Sequence, residues 1–192
     1  LALSGFSYDR MEEAAQFSIK AIEEIKELSN DKTIALTFIT KKVNKFFNTL
    51  YIFHHQQIIH TQSKVKLFPL GNELEYFSAG NVEDIKIIEI NGIRIATLIC
   101  FELRFPELWQ QIKGADIILN PAMWGIKRKD HYESISKALA LVSQCFVIAC
   151  NSADENMAKG SAIINPFGII KKDDSKEIIE DFFDLNEIKK VR

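Results

Sequence analysis

The sequence is short of several features, and each shortage excludes something. Three cysteines, Cys100, Cys145 and Cys150, are too few and too irregularly spaced for a disulfide framework. Four histidines, His54, His55, His60 and His131, form no HExxH pattern and no Cys/His cluster, so a metal site is not expected. Neither sign of charge dominates: 24 Lys and Arg stand against 26 Asp and Glu, for a net charge of −2. That balance lacks the basic excess that a nucleic-acid or anionic-membrane surface needs. Long apolar runs are missing too. The stretch 95–101, with one Thr inside, is far too short to span a bilayer. No secretory signal is visible in the opening residues, and a cytoplasmic setting is the expectation.

What remains is the composition of a soluble globular protein, 47% apolar and 26% charged. Its 192 residues suit one domain or part of one. The chain opens on Leu1-Ala-Leu-Ser-Gly-Phe without an initiator Met, and 184–192 read as the start of a helix, so a partial domain is expected. Asp9 and Glu12 have capping-box spacing, and apolar positions 14, 18, 21, 22, 25 and 28 then predict an amphipathic helix over 12–28. Strands are predicted at 33–40, 48–53 and 57–61, the last two joined through His54-His55-Gln56. Residues 64–80, with Pro69, Gly71, Asn72 and Gly80, read as a long loop of the kind that often carries function. Two more strands, 85–90 and 93–100, flank Asn91-Gly92, a strong hairpin signal. Beyond them come a helix at 105–113, a strand at 115–120, a helix at 131–143 and a strand at 146–151. The pair 161–165 and 169–172 surrounds Asn165-Pro-Phe-Gly168, and a last strand is expected at 178–184. Strands interleaved with helices predict an α/β or α+β layered sheet protein.

Cys145 and Cys150, in an apolar run, read as packing residues. Cys100 is different. It ends an apolar strand and precedes the polar turn Phe101-Glu-Leu-Arg-Phe-Pro-Glu107, where free backbone N–H groups could stabilise a thiolate or an oxyanion. Taken alone it could equally be a buried cysteine at a strand end. A thiol nucleophile needs a base or charged partner: His131 is one candidate, and Lys64, Lys66, Glu73 and Glu75 in the long loop are others. The residues by themselves leave that choice open.

The ordered set of motifs narrows it. Lys64-Val-Lys-Leu-Phe-Pro69, Glu73, Phe77-Ser-Ala-Gly80, Cys100-Phe-Glu-Leu-Arg-Phe-Pro-Glu-Leu108 and Gly114-Ala-Asp-Ile-Ile-Leu-Asn-Pro-Ala-Met-Trp124 follow one another. Phe146-Val-Ile-Ala-Cys-Asn151, Gly160-Ser161 and Asn165-Pro-Phe-Gly168 continue the series. The set resembles the nitrilase superfamily of carbon–nitrogen hydrolases, closest to its amidase and omega-amidase-like branches. The resemblance implies a four-layer αββα sandwich, a single domain over 1–192 lacking its first strand and C-terminal end. It also implies a homodimer or larger assembly acting on a small-molecule amide, sometimes with a carboxylate at its far end, without metal or cofactor. Carried onto this sequence, it makes Cys100 the nucleophile and Lys64 an oxyanion donor together with the Phe101 N–H. Glu73 becomes an assisting glutamate, and the general-base Glu is expected just upstream of Leu1. Met123 and Trp124 would line the substrate pocket. Glu102, Arg104 and Glu107 read as a salt-bridge set that fixes the turn. Departures include Lys66, where many members have His, and Val142, where many have an acid. A carbamoylase of the same superfamily, a Cys–His hydrolase using His131 and a catalytically dead interaction protein are the alternatives.

Overall fold

The computed structural model describes residues 2–192, a mixed α/β chain with two sheets that divides into two compact units, Leu1–Asp84 and Ile85–Arg192. Leu1, where the quoted opening motif starts, lies outside the described residues.

In the first unit, helix α1 (Met11–Leu28) lies on a three-stranded antiparallel sheet of β1 (Thr33–Lys42), β2 (Lys45–His54) and β3 (Gln57–Ser63), in the order β1-β2-β3. Helical period puts Ala14, Ala15, Ala21 and Ile22 on the buried side, where they meet Ile39, Phe38 and Phe53. Glu12 and Glu13 in the first turn and Lys26 in the last complement the helix dipole. The expected capping box does not form. A 3-10 turn, Tyr8–Arg10, runs directly into α1, and no side chain caps its N-terminus. At the other end Ser29, fully buried, donates to the Lys26 carbonyl at 2.6 Å and accepts from the Gln56 N–H at 3.1 Å. The helix end is thereby tied to the β2–β3 turn. That turn is two residues, His55 and Gln56, with φ of 49° and 57°. Two left-handed residues match the right-handed strand twist, as in a type I′ hairpin.

The second unit holds β4 (Ile88–Ile90), β5 (Ile93–Thr97), β6 (Ile117–Pro121), β7 (Phe146–Cys150), β8 (Ala162–Ile164) and β9 (Ile170–Lys172), hydrogen-bonded in chain order. Strands β5, β6 and β7 are parallel and the others antiparallel. Asn91-Gly92 turns β4 into β5 with φ of 52° and 78°, as its sequence predicts. The crossover from β5 to β6 carries α3 (Pro106–Gln111), with Pro106 at its first turn, and that from β6 to β7 carries α4 (Lys129–Ser143). Leu98, Leu103, Ile112, Ile118, Leu139, Ala140 and Val147 have no exposed surface. A last helix, α5 (Asn186–Val191), ends at Arg192, whose guanidinium bonds the Ala115 carbonyl and pairs with Asp116 at 3.2 Å.

Three further expectations need correction. Residues 178–184 form no strand: Ile178 is 71% and Phe182 99% exposed, and no described strand pairs with them. The loop 64–80 contains a 3-10 turn, Pro69–Gly71, and one turn of helix, α2 (Glu73–Tyr76), which for chain order precede β4. Cys145 is fully buried, and burial pushes its thiol up to about 12, but Cys150 is exposed because it is the last residue of β7, at the strand's open end. No helix among the described residues is long and apolar enough to cross a membrane.

Candidate active site

In the first unit, Lys64 follows directly on β3. Its N–H donates to the Asn48 carbonyl of β2 at 2.8 Å, and its own carbonyl accepts from the Gly80 N–H at 2.9 Å. Gly80 is needed there, since a Cβ would run into the Ser63 carbonyl. These bonds fix the stem of Lys64, and Glu73 fixes its head. The ammonium donates to both carboxylate oxygens, at 2.7 and 2.6 Å, and the side chains are 0% and 2% exposed. Glu73 also accepts the Phe68 N–H at 2.7 Å. A buried charge pair with every strong acceptor used is a rigid arrangement. Two of the loop residues singled out from the sequence are thus brought together, while Glu75 is exposed and Lys66 half-buried.

In the second unit, the parallel strands β5, β6 and β7 end at one edge, and that carboxyl edge is where open α/β sheets bind ligands. Cys100, Met123 and Trp124, and Asn151 follow these three strands. The strand before Cys100 stops at Thr97 rather than at the cysteine. Cys100 opens a 3-10 turn, Cys100–Arg104, with a left-handed φ of 52° and a half-buried side chain. A non-glycine residue in that region is strained, and such strain gathers at functional sites. A sharp strand-to-helix turn that projects a nucleophile is a recurring device. Glu102, fully buried, holds the turn: its carboxylate accepts the Ile99 N–H at 2.6 Å.

Arg104 behaves differently from the expected salt-bridge set. Its guanidinium lies 4.7 Å from the Trp124 ring centroid and donates to His131 Nδ1 at 2.9 Å. Among the described residues no carboxylate pairs with it. Burial, and then the charge of Arg128, lowers its pKa. Because a guanidinium can only donate, His131 Nδ1 accepts, which leaves that nitrogen no lone pair for a thiol proton. The structure gives no support to His131 as a base for Cys100.

Sequence reading missed two participants. Asn151 fastens Trp124 by accepting its N–H at 2.7 Å and donating to its carbonyl at 3.2 Å. Tyr132, fully buried, packs its ring 5.4 Å from that of Trp124. Burial, and then the charges of Cys150 and Cys100, hold its hydroxyl well above the usual phenol range, so it stays protonated. Asn151 had a signal, as the polar end of an apolar strand; Tyr132 looked like an ordinary helix residue. No group of three or more His, Cys, Asp or Glu among the described residues could hold a metal ion.

The family model for carbon-nitrogen hydrolases matches residues 1–192. The chain belongs to the carbon-nitrogen hydrolase family. Its relatives put it with the amidase and omega-amidase-like members of the nitrilase superfamily. It is 35% identical over 168 residues to the 2-oxoglutaramate amidase of Bacillus subtilis (strain 168), covering 83% of this chain and 64% of that one. It is 31% identical over 143 residues to the omega-amidase YafV of Escherichia coli (strain K12), covering 72% and 54%. The chain thus spans under two thirds of the length of these curated relatives. The carbon-nitrogen hydrolase of Helicobacter pylori G27 superimposes with a TM-score of 0.84 over 95% of this chain and 73% of that one, at 18% identity, a likeness of fold.

Proposed function

We propose that this carbon-nitrogen hydrolase cleaves the C–N bond of a small-molecule amide through a thioester on Cys100. The observation that carries the reading is the placement of Cys100, strained at φ 52° on a braced turn at the carboxyl edge of parallel strands. Kinship with amidases supports the same chemistry. In the proposed sequence, a general base takes the Cys100 proton and the thiolate attacks the amide carbon. The oxyanion accepts hydrogen bonds from Lys64 and the Phe101 N–H. The base returns the proton to nitrogen, ammonia or an amine departs, and water then cleaves the thioester to the acid. Glu73, which accepts two hydrogen bonds from the Lys64 ammonium, would hold its head in place. The resemblance assigns the base to a glutamate just upstream of Leu1. Met123 and Trp124 are proposed to contact the acyl chain. Three free thiols suit a reducing compartment such as the cytoplasm. The proposed homodimer would cover apolar surface such as Leu141 and Val142, 44% and 64% exposed on α4.

The test is ammonia release from a panel of small amides. Cys100→Ala should abolish release while circular dichroism stays unchanged, and activity should survive EDTA and dialysis. Iodoacetamide should inactivate, with the added mass on the Cys100 peptide in a Cys150→Ser background. Undiminished turnover by Cys100→Ala would remove the assignment.

A further inference from the structure

Glu73 fixes the head of Lys64, yet the segment that carries Glu73 has little regular structure of its own. The 3-10 turn Pro69–Gly71 joins the single helical turn α2 through Asn72, left-handed at φ 58°. One turn of helix is weak alone, because forming it fixes several dihedrals for one hydrogen bond. Leu70 and Leu74 face solvent, 78% and 62% exposed, and add little anchorage. The anchors come instead from the chain before α1. The Tyr8 hydroxyl donates to the Gly71 carbonyl at 2.6 Å, just before Glu73 in the chain. The Tyr8 ring stacks on that of Tyr76, just after Glu73, with centroids 4.3 Å apart and planes 13° from parallel. It also meets the edge of the buried Phe77 ring at 6.1 Å. One side chain therefore grips the segment on both sides of the carboxylate. Tyr8 is itself well placed. It opens the 3-10 turn that leads into α1, and it packs with Phe6 against the cluster of Met11, Ala14, Ile39 and Phe77.

We propose that Tyr8 is a positioning residue for catalysis, holding Glu73 where its carboxylate fixes the Lys64 ammonium. This rests on the amidase reading above, in which Lys64 donates to the oxyanion, and adds a residue that no motif singled out. Beside its two bonds from Lys64, the Glu73 carboxylate accepts the Phe68 N–H, which closes the segment across Pro69–Gly71. That closure depends on Gly71 staying down, and the Tyr8 hydroxyl is what holds its carbonyl. A donor misplaced by about 1 Å costs up to about 10² in rate. Lys64 acts on a charge that develops only in the transition state, so its misplacement lowers kcat and leaves KM unchanged.

The test combines kinetics on the amide panel with amide hydrogen exchange, which needs no turnover. Tyr8→Phe removes the hydroxyl and keeps the stacked ring, whereas Tyr8→Leu removes both anchors. kcat should fall about tenfold in Tyr8→Phe and on the order of a hundredfold in Tyr8→Leu, at constant KM. In a Glu73→Gln background Tyr8→Phe should change kcat less than about twofold, because the residue it acts through is already lost. Exchange at the Phe68 and Phe77 amides, both bonded to Glu73, should quicken about tenfold in Tyr8→Phe, while amides between β1 and β2 keep their rates. An unchanged kcat in Tyr8→Phe overturns the proposal and leaves the amidase reading intact. Equal losses with and without Glu73→Gln overturn it too, since Tyr8 would then act on the fold at large. Should Glu73→Gln fail to fold, exchange in Tyr8→Phe decides, and an unaltered rate at Phe68 overturns the proposal. If the unsubstituted protein releases no ammonia, the amidase reading falls, and the exchange rate at Phe68 alone then supports or overturns the hold of Tyr8 on Glu73.

Discussion

Glu73→Gln should destabilise the first unit far more than a change of one atom type suggests. The substitution keeps shape and one acceptor oxygen, but leaves the Lys64 ammonium, 0% exposed, without a negative partner. Breaking a buried ion pair from one side typically costs about 3–5 kcal/mol. For a chain of this size that corresponds to a fall in melting temperature of roughly 10 °C. Lys64→Met should cost a similar amount, since it strands the Glu73 carboxylate. The double replacement Lys64→Met with Glu73→Leu removes both charges at once, and paired charges exchanged for apolar groups are often close to neutral. Urea denaturation followed by circular dichroism should therefore show the double variant about 2 kcal/mol or more better than the sum of the singles. Its turnover should nonetheless fall by roughly 10² to 10³, the usual cost of losing an oxyanion donor. Additive destabilisation, or singles that each cost under about 1 kcal/mol, would refute the buried-pair argument. Full activity in the double variant would remove Lys64 from the mechanism while leaving the pair's energetics intact.

Two further outcomes test other parts of the structure. At the β1–β2 turn Val43 is 92% exposed with φ 56°, so Val43→Asn, which tolerates that region, should gain on the order of 0.5–1 kcal/mol in a urea midpoint measurement. A loss there would contradict the turn geometry. For Asp116, burial alone would raise the carboxyl pKa, but the hydrogen bonds and charge of Arg94, then the charge of Arg192, outweigh it and the pKa is lowered. A lowered carboxyl pKa contributes stability that is complete above the unfolded value near 4 and lost as pH falls through the folded one. Asp116→Asn should thus cost about 1 kcal/mol at pH 7 and progressively less as pH falls below about 4; a penalty that grew on acidification would reverse the assignment.

Periodicity made most of the elements legible, because burial on one face leaves its mark in α1 and in the strands. Turn chemistry was equally plain at Asn91-Gly92. It was silent at Val43 and at His55-Gln56, where residues that seldom adopt φ > 0 are held there by the strands on either side. Residues 178–184 misled for the converse reason. Apolar and aromatic side chains indicate a strand only when a neighbour is present to take up the backbone hydrogen bonds, and none is among the described residues. Lys64 and Glu73 were legible as members of a motif, but nothing in nine residues of loop revealed that the pair is dry.

The turn at Cys100 shows most clearly where reading residues alone falls short. Leu98-Ile-Cys-Phe-Glu-Leu103 has the apolar density of a strand, and its three aliphatic residues are indeed buried, yet they serve another purpose. Leu98, Ile99 and Leu103 are at most 1% exposed and anchor both ends of the turn in the core. The Leu98 N–H donates to the Leu119 carbonyl at 3.0 Å, and its carbonyl accepts from Asn120 Nδ2 at 2.6 Å. Ile99 exchanges bonds with Glu102, giving its N–H to the carboxylate at 2.6 Å and taking the Glu102 N–H at 3.1 Å. With the groups of Leu98 and Ile99 so committed, the change of direction falls at Cys100, whose φ is 52°. A left-handed non-glycine residue costs on the order of 1–3 kcal/mol and persists only where its surroundings over-determine it. The apolar pattern misread as the end of a strand is the restraint that imposes this conformation. The sulfur is therefore placed by the core on either side of it, before any substrate is bound.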